Sequence, residues 1–179
     1  MKLKNFLIFC ALLTFFVLFS AGRDCIQQKE LTVDETKIMV NTSKLTAMFS
    51  EGRIDDMVTQ LYNKDAVIFL PREDWLKQKG APKETLEFWA HLMKKFPTGE
   101  VRGHDMIKQF WNAFKEMGAK DVVFNIVNLS IANEAANQTF RYSFIVQKAA
   151  RVPEDPEGEG GAIWRHRYDC QWELVTQYF

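Results

Sequence analysis

The apolar positions of this chain change their spacing partway along its length. In the first part they recur every three or four residues, as on helices buried along one face; later they alternate, as on strands. Thr32-Val33-Asp34-Glu35 has the form of a capping box, in which a hydroxyl and a carboxylate satisfy free N–H groups at a helix start. Ile38, Leu45, Met48 and Phe49 continue that helix until Gly52, and a second short helix carries Ile54, Met57, Val58 and Leu61 on one side. Asn63-Lys64-Asp65 predicts a turn, and Ala66-Val67-Ile68-Phe69-Leu70 a short buried strand stopped by Pro71. Residues 72–82 are polar, contain Gly80 and Pro82, and predict a loop.

Leu86, Trp89, Ala90, Met93 and Phe96 form the apolar stripe of a helix over 83–96. Met106, Ile107, Phe110, Trp111, Phe114 and Met117 do the same between Gly103 and Gly118. Residues 122–131 and 139–148 are alternating and rich in β-branched and aromatic side chains, with a turn at 133–137. An acidic Pro/Gly stretch, 151–161, predicts a loop before two last strands over 162–168 and 172–179. Helices first and strands afterwards predict an α+β domain, helices packed against an antiparallel sheet.

The N-terminus adds a compartment. Lys2 and Lys4 precede a 14-residue apolar run, residues 6–19, and Ser20-Ala21-Gly22 follows. That order predicts a secretory signal peptide over 1–22, a polar lead-in over 23–32 and the domain over 33–179. The alternative is a membrane anchor, for which the run falls short of the roughly 20 apolar residues that span hydrocarbon. Export gives an expected extracellular location, with no membrane association after signal removal.

In that oxidising setting Cys25 and Cys170 are candidates for a disulfide, an intermolecular bridge and two free thiols being the alternatives. Asn41-Thr42-Ser43, Asn128-Leu129-Ser130 and Asn137-Gln138-Thr139 become candidate glycosylation acceptors, with Asn137 favoured because it falls in an expected turn.

Composition narrows the chemistry. Lys+Arg and Asp+Glu are 23 each, so no basic footprint points to nucleic acid. The chain has no phosphate-cradling glycine motif and no nucleophile elbow, and its three histidines, His91, His104 and His166, lack metal-ligand spacing. No metal and no cofactor are expected. Strand alternation puts Trp164 and His166 on one side, and Tyr142 on the side of Phe140 and Phe144. Phe69, Trp111, Tyr142, Trp164 and His166 together form the expected ligand pocket, apolar with a few polar groups.

The runs Glu51-Gly52-Arg53-Ile54-Asp55-Asp56-Met57 and Leu61-Tyr62-Asn63-Lys64-Asp65-Ala66-Val67-Ile68-Phe69-Leu70-Pro71 resemble the start of nuclear transport factor 2-like domains. Val101-Arg102-Gly103-His104-Asp105-Met106-Ile107-Lys108-Gln109-Phe110-Trp111 resembles their glycine-led third helix, and Trp172-Glu173-Leu174-Val175 their last strand. SnoaL-like domains and a related domain of unknown function are the nearest in kind. The resemblance implies a cone, in which a curved antiparallel sheet wraps helices around a pocket, and a homodimer formed through the sheet. Residues 72–99 exceed the usual family connection. The ketosteroid isomerase members place an acidic base directly before a proline, where this chain has Leu70 before Pro71; their acid donor has no counterpart within 163–167.

The leading expectation is therefore a secreted, non-catalytic domain binding a small apolar ligand or a protein partner. The alternative is a small isomerase, dehydratase or hydrolase with His166 as acid–base and Tyr142 as donor. A third is a structural secreted homodimer.

Overall fold

The computed structural model describes residues 32–146 and 156–179. They form helices α1 (Val33–Glu51), α2 (Ile54–Leu61), α3 (Glu73–Gln78), α4 (Lys83–Lys95) and α5 (Gly103–Glu116), and strands β1 (Tyr62–Phe69), β2 (Glu100–Arg102), β3 (Ala119–Ala132), β4 (Ala135–Val146), β5 (Glu157–His166) and β6 (Trp172–Tyr178). The expected signal peptide, the lead-in to residue 31 and Cys25 lie outside the described residues.

Local chemistry sets the helix ends. Thr32 N donates to Glu35 Oε2 at 2.7 Å and Glu35 N to Thr32 Oγ1 at 3.1 Å, closing the capping box that opens α1. Gly52 ends the helix in the left-handed region, φ 76°, a conformation glycine adopts without the Cβ penalty.

The six strands form one sheet in the order β2-β1-β6-β5-β4-β3. All neighbours are antiparallel except β1 and β6, which run parallel through Val67–Thr176 and Phe69–Tyr178. The expected antiparallel sheet is thus corrected to a mixed one. The chain leaves β1 through α3, α4, β2 and α5, then makes the β3–β6 meander and returns beside β1, long enough a crossover for a parallel pair. Register shifts in the β1–β6, β3–β4 and β5–β6 pairings mark bulges, which bend strands and curve the sheet.

Several boundaries move. Residues 63–65 belong to β1, and a helical turn, α3, occupies part of the expected loop. The largest shift is β5, which begins at Glu157 inside the expected Pro/Gly loop. Its glycines lie under aromatic rings of the neighbouring strands. A Cβ at Gly158 would strike the Tyr142 ring, at Gly160 the Phe140 ring and at Gly161 the Tyr178 ring. Glycine here is the residue that lets rings lie flat across the strand, so cross-strand packing overrides its weak strand propensity.

The helices cover one face of the sheet. Between them lies a core of Phe49, Phe88, Trp89, Phe110, Trp111, Phe114 and Leu92 from the helices with Phe140, Tyr142, Phe144, Trp164, Leu174 and Phe179 from the sheet side. Rings pack mostly edge-on or tilted, with centroids as close as 4.7 Å for Phe114–Phe144 and 4.8 Å for Phe88–Phe144, while Tyr142 and Phe144 are stacked.

Candidate functional site

The five expected pocket residues do not all converge: only Trp111 and Tyr142 pack against a common ring, that of Phe179. Ala66 and Ile68 face the core, so the two-residue period turns Phe69 outward, where it is 39% exposed. Trp111 and Trp164 are fully buried, but both are held in closed internal bonds. Trp111 Nε1 donates to Tyr62 Oη at 3.1 Å, and Tyr62 Oη donates to Gln177 Oε1 at 2.5 Å. Burial pushes the Tyr62 phenol well above its ordinary value, so it is present as the neutral donor. Trp164 Nε1 donates to Gln138 Oε1 at 2.9 Å, Gln138 Nε2 to Thr42 Oγ1 at 3.0 Å, and Thr42 Oγ1 to Ile38 O at 3.0 Å.

His166 and Tyr142 are also separated. Tyr142 pairs with Gly158, while His166 lies eight residues further along β5 opposite Trp172, a distance of roughly 26 Å at strand rise. His166 stacks edge-on with Trp172, 5.1 Å between centroids, in an open depression of about 750 Å³. Four of its charged neighbours are paired with one another, Arg165 with Glu173 at 2.7 Å and Arg167 with Asp169 at 3.0 Å, and Glu134 also lines the depression. A joint acid–base role for His166 and Tyr142 is excluded by this separation. His104 Nε2 reaches Tyr62 O at 2.9 Å and ties α5 to β1.

Tyr142 itself stays in play. Its ring is buried, and its hydroxyl has no hydrogen-bond partner. Burial raises its pKa, and the nearby Trp89 indole N–H pulls weakly the other way. The Trp89 ring stands edge-on to the Tyr142 ring with 6.1 Å between centroids, and Trp89 Nε1 is without a geometric hydrogen-bond partner as well. Thr85 Oγ1, one helical turn before Trp89 on the same face of α4, is the third such atom among the described residues.

These groups lie behind Phe179, whose ring approaches Trp89 and Tyr142 at 5.3 Å each. On its other side Phe179, with Phe140, lines an apolar depression of about 590 Å³ edged by Trp75, Val127 and Tyr178, with Glu159 at its rim. Trp75 comes from α3. The sequence analysis missed Trp75, Trp89 and Phe179. Trp89 was visible as part of a helical stripe, but its unmet N–H depends on tertiary contacts no local pattern carries. Among the described residues no group of three His, Cys, Asp or Glu side chains could hold a metal ion.

The candidate modification sites divide. Asn41 is buried and its Nδ2 donates to Trp172 O at 3.1 Å, so a glycan there is incompatible with this packing. Asn128 and Asn137 are exposed; Asn137 lies in β4 rather than in a turn, opposite Ile163 of β5. Cys170 is exposed in the turn before β6 and has no disulfide partner among the described residues; its expected partner, Cys25, lies outside them.

No family model and no curated protein matches the chain. Solved structures do. A nuclear transport factor 2-like superfamily protein from Salmonella enterica superposes with TM-score 0.56 at 12% identity, over 80% of this chain and 87% of that one. A ketosteroid isomerase-like protein from Erwinia carotovora atroseptica gives 0.58 at 13% identity, over 83% and 95%. A conserved protein from Planctomyces limnophilus gives 0.58 at 11%, over 82% and 94%. At such identities the likeness speaks for architecture and not for chemistry. The helices, the curved mixed sheet and these superpositions together establish that the chain has the nuclear transport factor 2-like fold.

Proposed function

We propose that this chain is a non-catalytic binding domain that takes a small apolar molecule in the depression above Phe140 and Phe179. The observation that carries this reading is the depression itself: an aromatic floor, apolar edges from Trp75, Val127 and Tyr178, and a single carboxylate at the rim. Such a lining binds by burying apolar area, worth about 25 cal/mol per Å². Leu70 stands where the ketosteroid isomerase pattern has its base, and the separation of His166 from Tyr142 speaks in the same direction.

Fluorescence titration of the purified protein with N-phenyl-1-naphthylamine, a neutral apolar probe, tests it. Saturable one-to-one binding is expected, weakened about tenfold by Val127→Glu. Binding that does not saturate, or that Val127→Glu leaves unchanged, overturns the reading.

A homodimer built through the outer face of the sheet is favoured by a second observation. Phe69 pairs with Tyr178, and Ile163 lies on the same face two residues from Gly161, the partner of Tyr178; all three side chains are more than a third exposed. Export and glycosylation at Asn128 or Asn137 belong to the same proposal, with one restriction. Asn137 lies beside Ile163 in this face, so a glycan there and a dimer through the same surface exclude each other.

A further inference from the structure

The sheet has two edges, β2 and β3, and they are built differently. β2 is 3 residues long and carries a charge at each end, Glu100 and Arg102, both exposed. β3 is 14 residues long, and its stretch 122–132 holds no Asp, Glu, Lys, Arg or Pro. α1 packs against β3 but leaves Val123 and Val127 exposed by 42% and 63%. Among the described residues no strand pairs with the outer side of β3.

Free N–H and C=O groups on an edge template pairing with other chains, and edges are ordinarily blunted by shortness, charge, proline or bulges. β3 is bulged at Lys120/Val123 and at Ile126/Asn128, yet residues 123–126 and 128–132 pair regularly with β4. Uncharged segments rich in β-branched residues are the ones that stack with copies of themselves. Near the middle of this bare stretch stands the acceptor pattern Asn128-Leu129-Ser130, with Asn128 and Ser130 exposed. The other two acceptors lie elsewhere. Asn41 is buried and bonded to Trp172 O, and Asn137 is inside β4, flanked by Ser130 of β3 and Ile163 of β5.

We propose that Asn128 carries an N-linked oligosaccharide, and that this sugar guards the β3 edge against pairing with strands of other chains. The proposal rests on the reading that the chain is exported, and adds which acceptor is used and what the sugar does there. The donor is an oligosaccharide linked through diphosphate to a polyprenol. Asn128 Nδ2 attacks C1 of its first sugar; the Nδ2–C1 bond forms, the bond from C1 to the diphosphate oxygen breaks, polyprenyl diphosphate leaves and Nδ2 gives up one proton. A bulky, hydrated group on the edge keeps an incoming strand from closing to the ladder spacing of about 4.8 Å. Asn128 stands opposite Thr139, Thr139 opposite Gly161 and Gly161 opposite Tyr178, which puts the attachment point about 14 Å from Tyr178 at that spacing. The sugar is thus attached at the rim of the outer face, three strands away from the side chain at the centre of the proposed homodimer.

Secretion of the full chain, leader included, from cultured insect cells tests this. Intact mass is expected to show residues 1–22 removed and an oligosaccharide that Asn128→Gln abolishes and Asn137→Gln does not. Sedimentation velocity reads the role of the sugar. Asn128→Gln leaves the edge bare, and about tenfold more of it than of wild type is expected in species larger than a dimer. Asn128→Lys also removes the acceptor but puts a charge on the edge, and is expected to stay as dispersed as wild type.

Asn128→Gln no more associated than wild type, or Asn128→Lys as associated as Asn128→Gln, overturns the guard. Secreted protein processed at its leader but unmodified at Asn128 overturns this proposal alone, whereas cell-retained protein with residues 1–22 intact overturns the export reading together with it. If Asn128→Gln loses its cooperative melt, Ser130→Ala, which keeps Asn128 and removes the acceptor pattern, takes its place with the same outcomes.

Discussion

Two clusters of buried aromatic and polar side chains, close in composition, behave in opposite ways. Around Gln138 every polar group is answered: Trp164 donates to it, it donates to Thr42, and Thr42 returns to the α1 backbone. Around Tyr142 nothing is: its hydroxyl, the Trp89 indole and the Thr85 hydroxyl are all unmet. Both contain a tryptophan from one element and a polar side chain from β4. The difference teaches that burial does not mark a site, whereas the accounting of donors and acceptors does. A closed circuit holds the sheet to the helices, and an open one leaves its polar atoms without partners.

Substitutions can break this contrast. Gln138→Ala strands Trp164 Nε1 and opens a void, and is expected to cost about 3 kcal/mol, read as a fall in the denaturant midpoint. Tyr62→Phe removes the hydroxyl that links Trp111 to Gln177 and is expected to cost about 1–2 kcal/mol by the same measurement. Tyr142→Phe deletes a hydroxyl that bonds to nothing, so stability at neutral pH is expected to stay within about 0.5 kcal/mol of wild type or to rise. A loss from Tyr142→Phe as large as that from Tyr62→Phe would erase the distinction between the two clusters.

Titration sharpens it. Burial raises both phenols above their ordinary value of 10.0. A group whose folded pKa is raised contributes stability in full below its unfolded value and loses it as pH rises beyond. Unfolding free energy is therefore expected to be flat in these groups below about pH 10 and to fall above it, with a shallower fall in Tyr142→Phe. Urea unfolding at a series of alkaline pH values reads this directly.

Much of the architecture was legible before any coordinates. The capping box at Thr32, the stripes of α4 and α5, and the hairpin-like alternation of β3 and β4 all fell where local chemistry placed them. The candidate site was less so, for identifiable reasons. Residues 66–70 are continuously apolar, with no alternation to say which side Phe69 takes. His166 has the parity expected of it, but alternation along one strand gives no distance along the sheet, and register put it far from Tyr142. Gly158, Gly160 and Gly161 read locally as a loop because the rings that need them belong to other strands. Phe179 gains its surroundings only when β6 docks, so nothing near it in the chain announces them.

The parallel seam between β1 and β6 has a consequence for how the molecule is made. The sheet's middle depends on Val67 meeting Thr176, residues from opposite ends of the described domain. Contacts of such high sequence separation slow folding, because a long loop must close before they form. Until β6 is available, β1 and β5 each present an unpaired edge, the form in which strands recruit other chains. The two open borders are both closed by β6 alone, so protection of β1 and β5 from other chains matters until that one strand docks.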